Sequence, residues 1–185
     1  MNDQQAWQQA LELTDRLYSG LSDPGRVRVD ALVRQVMSLK LELLNLTLSV
    51  GSASVCRTCG GKCCLHGKYY VTLLDLLAYR INSVIAPVPD FAGQPGCPYG
   101  DSRGCCLEPG MRPMTCVIFN CELIEELMNA ELMQRTTACE RELRTTIAEV
   151  EQLAGIRFGR PALLAAAENQ LIYNDTERIC NGDHK

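Results

Sequence analysis

Four cysteines fall within nine residues in the stretch CRTCGGKCC at positions 56–64, with the spacing C-x2-C-x3-C-C. This spacing constrains the local fold, because a C-x2-C turn brings two thiols close enough to reach one ion. Gly60 and Gly61 add the backbone freedom that a turn around an ion needs. Thiolates suit zinc, iron–sulfur clusters and copper(I) rather than hard cations. The stretch therefore predicts a metal site.

A second cysteine-rich stretch follows and supplies five more thiols, which are Cys97, Cys105, Cys106, Cys116 and Cys121. The nine clustered thiols are enough for two four-thiolate sites with one to spare. Cys139 and Cys180 lie far from both stretches, and we interpret them as small buried hydrophobic residues. His66 lies close to the first stretch, and we interpret it as a polar loop residue rather than a ligand.

The cysteine count of eleven is odd, and the N-terminus has neither the basic nor the apolar region of a signal peptide. Adjacent cysteines also suit disulfides poorly. We therefore expect reduced thiols in a cytoplasmic protein. The net charge of −4 gives no case for nucleic acid or an anionic membrane as a partner. The longest apolar run, 39–50, is too short and too charged to span a bilayer. The expected partner is another protein, and the oligomeric state stays open.

Helical periodicity dominates the first fifty residues. Residues 3–19 predict one helix that ends at Gly20, and Asp23 followed by Pro24 predicts the start of the next. Apolar residues within 39–50 also alternate as in a strand, but this alternation is interrupted once, at 43–44. The helical spacing has no such interruption. The second helix is predicted to pack in a bundle against two neighbours, with a coiled-coil dimer as the alternative. Its stripe is Val29, Leu32, Val36, Leu39, Leu43, Leu46 and Val50, widened by Val33, Met37, Leu44 and Leu48.

The remaining segments are also predicted from local signals. The sequence GSAS at 51–54 predicts a break, and Thr72 with Asp75 predicts a capping box that opens a helix to about Ile85. Repeated proline and glycine across 86–113 exclude a long regular element, so the cysteines are expected to fix this loop. A helix is predicted over 122–153 with the apolar stripe Leu127, Leu132, Leu143, Ile147, Val150 and Leu153. A last helix is predicted from Gly159-Arg160-Pro161 to about Ile172, followed by a polar tail from Asn174.

These elements define the expected fold class. It is mainly α, a small helical bundle with a cysteine-rich, metal-stapled irregular loop region. Residues 1–54 form an N-terminal helical extension of two helices, and 55–121 form the cysteine-cluster region. Residues 122–185 form C-terminal helices that pack on the N-terminal ones in one compact unit.

The cysteine pattern resembles a known family. Three features carry the resemblance: C-x2-C-x3-C-C followed by Cys97-Pro98, Cys106 six residues before Arg112, and R-P-x-x-C ending at Cys116. Over residues 56–121 they resemble the YkgJ-type cysteine-cluster family, a zinc- or iron-chelating domain. Cys105 is extra relative to that family and is a substitute candidate for Cys106. The resemblance implies eight metal ligands, which here are Cys56, Cys59, Cys63, Cys64, Cys97, Cys106, Cys116 and Cys121.

Three functions are compatible with these features. The first is a metal-binding accessory protein for electron transfer or cluster handling, for which we favour an iron–sulfur cluster over zinc. The second is an S-adenosylmethionine-dependent methyltransferase, because flagellin lysine-N-methylases are similar in the cysteine segment. The third is a partner-binding scaffold with structural zinc. No glycine-rich nucleotide loop is present, and two histidines give poor support for a catalytic triad, so we assign no catalytic residues.

Overall fold

The computed structural model describes residues 1–60, 62–91, 97–101 and 104–168, the side chains of 65, 66, 101 and 104 excepted. The fold is mainly helical, which confirms the predicted class. Its elements are α1 (Asp3–Ser19), α2 (Asp23–Ser49), α3 (Ser52–Cys59), a first 3-10 helix (Lys62–Tyr69), α4 (Leu73–Ile81), β1 (Gly100–Asp101), β2 (Gly104–Cys105), a second 3-10 helix (Pro109–Met111), α5 (Met114–Ile118), α6 (Glu122–Glu125) and α7 (Ala130–Ala154). Residues 162–168 are helical again and are called α8.

Helix α2 is the centre of the fold. It contacts α7, α4, α5, α3 and the second 3-10 helix. The first six positions of its predicted stripe are buried, from Val29 to Leu46, so the helical interpretation is confirmed. Helix α7 packs along it with Leu143 and Val150 fully buried. No helix in the described part of the chain is long and apolar enough to cross a membrane.

Three local predictions about α2 and α3 were wrong. The N-cap of α2 is Ser22, whose hydroxyl accepts from the N–H of Gly25, while Asp23 is the first helical residue. Only Val50 and Gly51 separate α2 from α3, because the left-handed backbone of Gly51 (φ 81°) redirects the chain. The first two cysteines therefore lie on a helix rather than in a break. Leu48 is 44% exposed and does not widen the buried face of α2.

The boundaries of the later helices also differ from prediction. Helix α4 stops at Ile81 because the Asn82 amide donates to the carbonyl of Ala78 and ends the helix. The single helix predicted over 122–153 is two helices, because the Asn129 side chain caps α7 and starts it anew. Leu127 and Leu153 are consequently exposed. Beyond residue 168 the predicted last helix and the polar tail lie outside the described residues.

Helix α4 is tied to both ends of the described chain. The predicted capping box is confirmed, since Asp75 N–H donates to the Thr72 hydroxyl and Asp75 accepts from Thr72 N–H. Thr72 forms a bridge with Pro161, and the N–H groups of 73 and 74 donate to the carbonyls of 160 and 158. Helix α1 packs on its outer face. The start of α4 is therefore fixed by a segment that is distant in sequence.

An ion pair joins α2 to α4 inside the core. The ammonium of Lys40 lies 2.5 Å from the Asp75 carboxylate, and the two side chains are 1% and 2% exposed. The second carboxylate oxygen accepts from the hydroxyl and the N–H of Thr72, at 2.7 and 2.8 Å. The carboxylate is thus paired and hydrogen-bonded, as burial of a charge requires.

The irregular segment 86–113 is anchored by buried side chains as well as carrying cysteines. Tyr99 is 2% exposed, and its ring centroid lies 5.8 Å from that of Trp7 on α1. Phe91 contacts the same indole edge-on at 6.4 Å. Leu107 and Met111 are also buried in the core. Apolar packing therefore contributes to fixing this loop, which the sequence analysis assigned to the cysteines.

Candidate metal centre

The first two cysteines of the cluster lie one turn apart on α3. Cys56 and Cys59 are three residues apart, so their side chains share one face of the helix. The Cys59 thiol donates to the carbonyl of Cys56 at 3.5 Å, and both residues are half-buried. Gly60 ends α3 in the left-handed region (φ 68°), which a residue with a side chain rarely adopts. Gly60 thus ends the helix, whereas the turn predicted for Cys56–Cys59 is helical.

The next two cysteines lie on the first 3-10 helix. This helix has three residues per turn, so neighbours diverge by about 120° and residues three apart are eclipsed. Cys63 and Cys64 are exposed, and a side-chain hydrogen bond nonetheless joins their thiols. Gly67 shares the face of Cys64, and a Cβ built on it would lie 2.7 Å from the Cys97 sulfur. The absence of a side chain at Gly67 therefore admits the Cys97 thiol to the face of Cys64.

A short hairpin carries the central cysteines. Strands β1 and β2 are antiparallel, with Gly100 opposite Cys105. The carbonyl of Tyr99 accepts from both the N–H and the thiol of Cys106, each at 2.8 Å. The Tyr99 hydroxyl donates to the carbonyl of Lys68 at 3.1 Å. The bond from Tyr99 to Lys68 joins the segment that carries the hairpin to the first 3-10 helix.

The last two cysteines of the cluster come from short helices. Cys116 lies on α5, which packs against α2, and its residue is exposed. Cys121 is the N-cap of α6, and its carbonyl accepts from the N–H groups of Ile124 and Glu125. Helix α6 packs against α3. This contact brings Cys121 to the helix that carries Cys56 and Cys59.

The thiols are close enough to influence one another electrostatically. Loss of solvent raises the pKa of Cys56, and the neighbouring thiols Cys63, Cys59 and Cys121 raise it further. Loss of solvent also raises the pKa of Cys64 to about 12, with contributions from Cys63, from Cys97 and from Cys56. These thiols are therefore protonated at neutral pH, and a metal ion must displace their protons to bind.

The pKa values of Cys97 and Cys116 are raised as well. Burial raises the pKa of Cys97; the Tyr99 N–H opposes this, and the Cys105 and Cys106 thiols add to it. Burial of its sulfur among protein atoms is the largest cause that raises the pKa of Cys116, although the residue as a whole is exposed. The next causes for Cys116 are Cys105 and Cys97, followed by Asp75 and Cys64.

The donor chemistry fits a thiolate-bound metal, but the thiols do not yet form a coordination shell. None of the described cysteines is in a disulfide bond. Within the described ranges, no three donor side chains converge in a geometry that would hold an ion. Rotation about a single torsion, χ1, moves each cysteine sulfur between staggered positions. Coordination therefore requires side-chain rearrangement among neighbours rather than transport of thiols from distant parts of the fold.

Several residues lie outside the cluster or outside the described part of the chain. Cys139 is buried on α7, and its thiol donates to the carbonyl of Leu39, as expected of a small core residue. The side chain of His66 and all of Cys180 are outside the described residues. A surface hollow of about 420 Å³ lies between α2 and α7, lined by residues such as Glu42 and Arg135 and separate from the thiols.

The sequence analysis missed two residues that position the cluster. Gly67 was not singled out, although a glycine three residues after a cysteine is a local signal for a close approach. Tyr99 was also missed, although an aromatic residue in a segment rich in proline and glycine is a candidate anchor. Comparison of the chain with protein-family models, with curated proteins and with solved structures finds no match. The family resemblance of the cysteine pattern thus stays a prediction.

Proposed function

We propose that this chain is a cytoplasmic metal-binding protein that holds its metal through thiolates of the nine clustered cysteines. One observation carries the proposal: thiols from positions 56–64 and from 97–121 are electrostatic neighbours in the folded chain. The phenol of Tyr70 illustrates this. Burial raises its pKa, and the neighbouring thiols of Cys116, Cys63, Cys64 and Cys97 contribute. Free thiols at such density suit zinc or an iron–sulfur cluster.

The proposed role is accessory, in electron transfer or cluster handling, with another protein as the partner. The accessory role is favoured over catalysis, because a fully thiolate-bound site leaves no open position for a substrate. An iron–sulfur cluster is favoured over zinc, because the adjacent cysteines and the surplus ninth thiol suit redox chemistry. Packing of Tyr99 on Trp7 supports this role over that of a purely structural staple. A loop that is already anchored by buried side chains has less need of metal to hold it.

The metal is identified by anaerobic purification followed by metal analysis and a visible spectrum. Stoichiometric iron and sulfide with broad visible absorption are the expected result. A colourless protein with stoichiometric zinc would replace the cluster with a zinc site, and a metal-free protein that takes up neither would overturn the proposal.

A second measurement separates the accessory role from the scaffold alternative. Circular dichroism of the chelated protein should keep its helical signal, because the core of α1, α2, α4 and α7 is built from apolar side chains and Cys97 only packs against its edge. Complete unfolding on chelation would instead assign the metal a structural role. Calorimetric titration with S-adenosylmethionine tests the methyltransferase alternative, and the proposal expects no binding.

A further inference from the structure

We propose that the outer face of α6 and the turns beside it bind a partner protein whose own surface has an apolar centre surrounded by lysine and arginine. The exposed residues of the segment 119–133 are called the α6 surface. The inference rests on the proposed function and deepens it, because it states the chemistry of the partner and the place where the partner meets the cysteine cluster.

The α6 surface exposes large apolar side chains that the core does not use. Leu123 and Leu127 are 56% and 50% exposed, and Phe119 is 55% exposed. Leu123 and Leu127 are four residues apart in a helical turn that backbone bonds continue to residue 128, so they share one side of it. Ile124 is buried and attaches this turn to the rest of the protein. Exposed apolar groups that lie together among polar residues are typical of protein–protein interaction sites.

Carboxylates surround these apolar side chains and are not neutralised. None of them forms an ion pair with the described part of the chain. No lysine, arginine or histidine occurs in the sequence between Arg112 and Arg135. Helix α3, which packs on α6, adds a single cation, Arg57. The exposed carboxylates are those of Glu122, Glu125, Glu126 and Glu131.

The charge of the α6 surface selects its occupant. A second copy of the chain would place the same carboxylates opposite one another, and like charges oppose such an interface. A partner with lysine and arginine around an apolar centre pairs with the carboxylates and covers the leucines, and its charge also accelerates the encounter. The exposed apolar stretch 84–88 contains no charged residue, so its own charges select no partner.

The hollow between α2 and α7 provides a recess next to the α6 surface. It has a volume of about 420 Å³ and is lined in part by Leu41, Ser49 and Leu132. Leu132 lies in the first turn of α7, which follows α6 in the chain. Ser49 is the last residue of α2 and lies close to the start of α3, on which α6 packs. A large side chain of the partner can enter such a recess and act as an anchor.

The α6 surface begins at the cysteine cluster. Cys121 is the N-cap of α6 and precedes Leu123 by two residues. The contact of α6 with α3 places it on the helix that carries Cys56 and Cys59. A protein bound to the α6 surface therefore lies beside the candidate metal centre, where the proposed accessory role needs its partner.

Two synthetic peptides test the choice of partner. Both form amphipathic helices with the same leucine face, and the residues that border this face are lysine in one peptide and glutamate in the other. Calorimetric titration of the full, reduced chain should show that the lysine peptide binds at least about tenfold more tightly than the glutamate peptide. Raising the salt concentration from about 0.05 M to about 0.5 M should weaken the lysine peptide several-fold, because salt screens exposed charges.

Paired variants locate the binding surface. Leu123→Ser/Leu127→Ser should weaken binding of the lysine peptide at least about tenfold, because it removes the apolar centre. The matched control is Ile85→Ser/Val88→Ser, which removes two exposed apolar side chains elsewhere and should leave the affinity unchanged. Far-UV circular dichroism checks that each variant is folded.

Charge reversal gives a readout that loss of structure would not produce. Glu125→Lys/Glu126→Lys should lose binding of the lysine peptide and gain binding of the glutamate peptide. Glu12→Lys/Glu142→Lys makes the same change in net charge away from the α6 surface and should keep the wild-type preference. In the metal-free chain, bound lysine peptide should slow alkylation of Cys121 and leave alkylation of Cys105 unchanged.

The possible failures are distinct. Equal affinity for the two peptides, or binding that Leu123→Ser/Leu127→Ser does not weaken, would overturn the proposal. Self-association in sedimentation experiments that the same variant abolishes would assign the α6 surface to a second copy of the chain instead. A chain that holds metal but binds neither peptide defeats the docking surface alone. A chain that binds the lysine peptide but takes up no metal retains the docking surface and defeats the proposed function.

Discussion

The buried ion pair between Lys40 and Asp75 gives the sharpest prediction about the fold. Lys40→Met keeps the volume and the apolar stem of the side chain but removes the ammonium 2.5 Å from the carboxylate. The Asp75 carboxyl group then stays buried with only its bonds to Thr72. Breaking a buried pair in this way costs about 3–5 kcal/mol, far more than the net contribution of the intact pair.

The size of this free-energy cost follows from the burial of both side chains. Both side chains are at most 2% exposed, so solvent cannot take over the role of the missing partner. For a chain of this size, about 3–5 kcal/mol corresponds to a fall in Tm of roughly 6–20 °C. The double variant Lys40→Met/Asp75→Asn removes both charges and should cost less than either single change, because no unpaired charge stays buried.

Urea unfolding of the metal-free, reduced protein, followed by far-UV circular dichroism, measures these free energies. The matched control is Arg28→Met, which removes an exposed ion pair of 2.8 Å with Glu149 on α7. It should cost under about 1 kcal/mol. The reasoning is refuted if Lys40→Met costs no more than this control. It is also refuted if the double variant costs the sum of the two single changes.

Three further predictions concern the segments around the cysteines. Tyr99→Phe should cost about 1–2 kcal/mol by leaving the Lys68 carbonyl without its donor, and Tyr99→Ala about 3–5 kcal/mol with faster proteolysis between 97 and 106. Gly67→Ala should cost about 1–3 kcal/mol and speed alkylation of Cys97, because the new methyl would lie 2.7 Å from its sulfur. Burial raises the pKa of Tyr79 from 10.0 to about 12. Because the pKa of Tyr79 is higher in the folded state, its contribution to the free energy of unfolding is complete below pH 10. About 2 kcal/mol of that contribution should be lost between pH 10 and 12. This loss should be absent in Tyr79→Phe.

Each of these predictions has a control and an opposing result. Gly20→Ala is matched to Gly67→Ala, because its nearest contact is 3.4 Å and its backbone is right-handed, so it should change stability by under about 0.5 kcal/mol. Equal effects of the two substitutions would remove Gly67 from its positioning role. An unchanged proteolysis pattern in Tyr99→Ala would show that the loop has other anchors. Parallel pH profiles for Tyr79→Phe and the wild type would show that Tyr79 is not the titrating group.

The helices that the sequence predicts well are those fixed by short-range rules. The stripe of α2 and the capping box of α4 depend on residues three or four apart, and both are present in the structure. The predicted end of the first helix at Gly20 is also present, with Gly20 as the C-cap of α1. The division of 122–153 into α6 and α7 was missed because the Asn129 cap competes locally with an apolar pattern that continues past it.

The parts that could not be predicted depend on distant contacts. Lys40 interrupts an apolar run and therefore favours a solvent-facing interpretation, yet its partner lies thirty-five positions away on α4. The packing of Tyr99 on Trp7 likewise joins a loop to the first helix. For the candidate site, residue type and spacing predict thiolate chemistry. The 3-10 helix that carries Cys63 and Cys64 has no signal in the sequence.

The backbone bonds between α4 and residues 158–161 bear on how the protein is made. All nine clustered cysteines leave the ribosome before Phe158 and Pro161, which anchor the start of α4 next to the 3-10 helix. At about 5–20 residues per second, synthesis of the residues from Cys121 to Phe158 takes roughly 2–7 s. During that interval the thiols are exposed on a nascent chain whose α4 lacks this anchor. The protein therefore has a brief period in its biogenesis when its thiols are most open to oxidation.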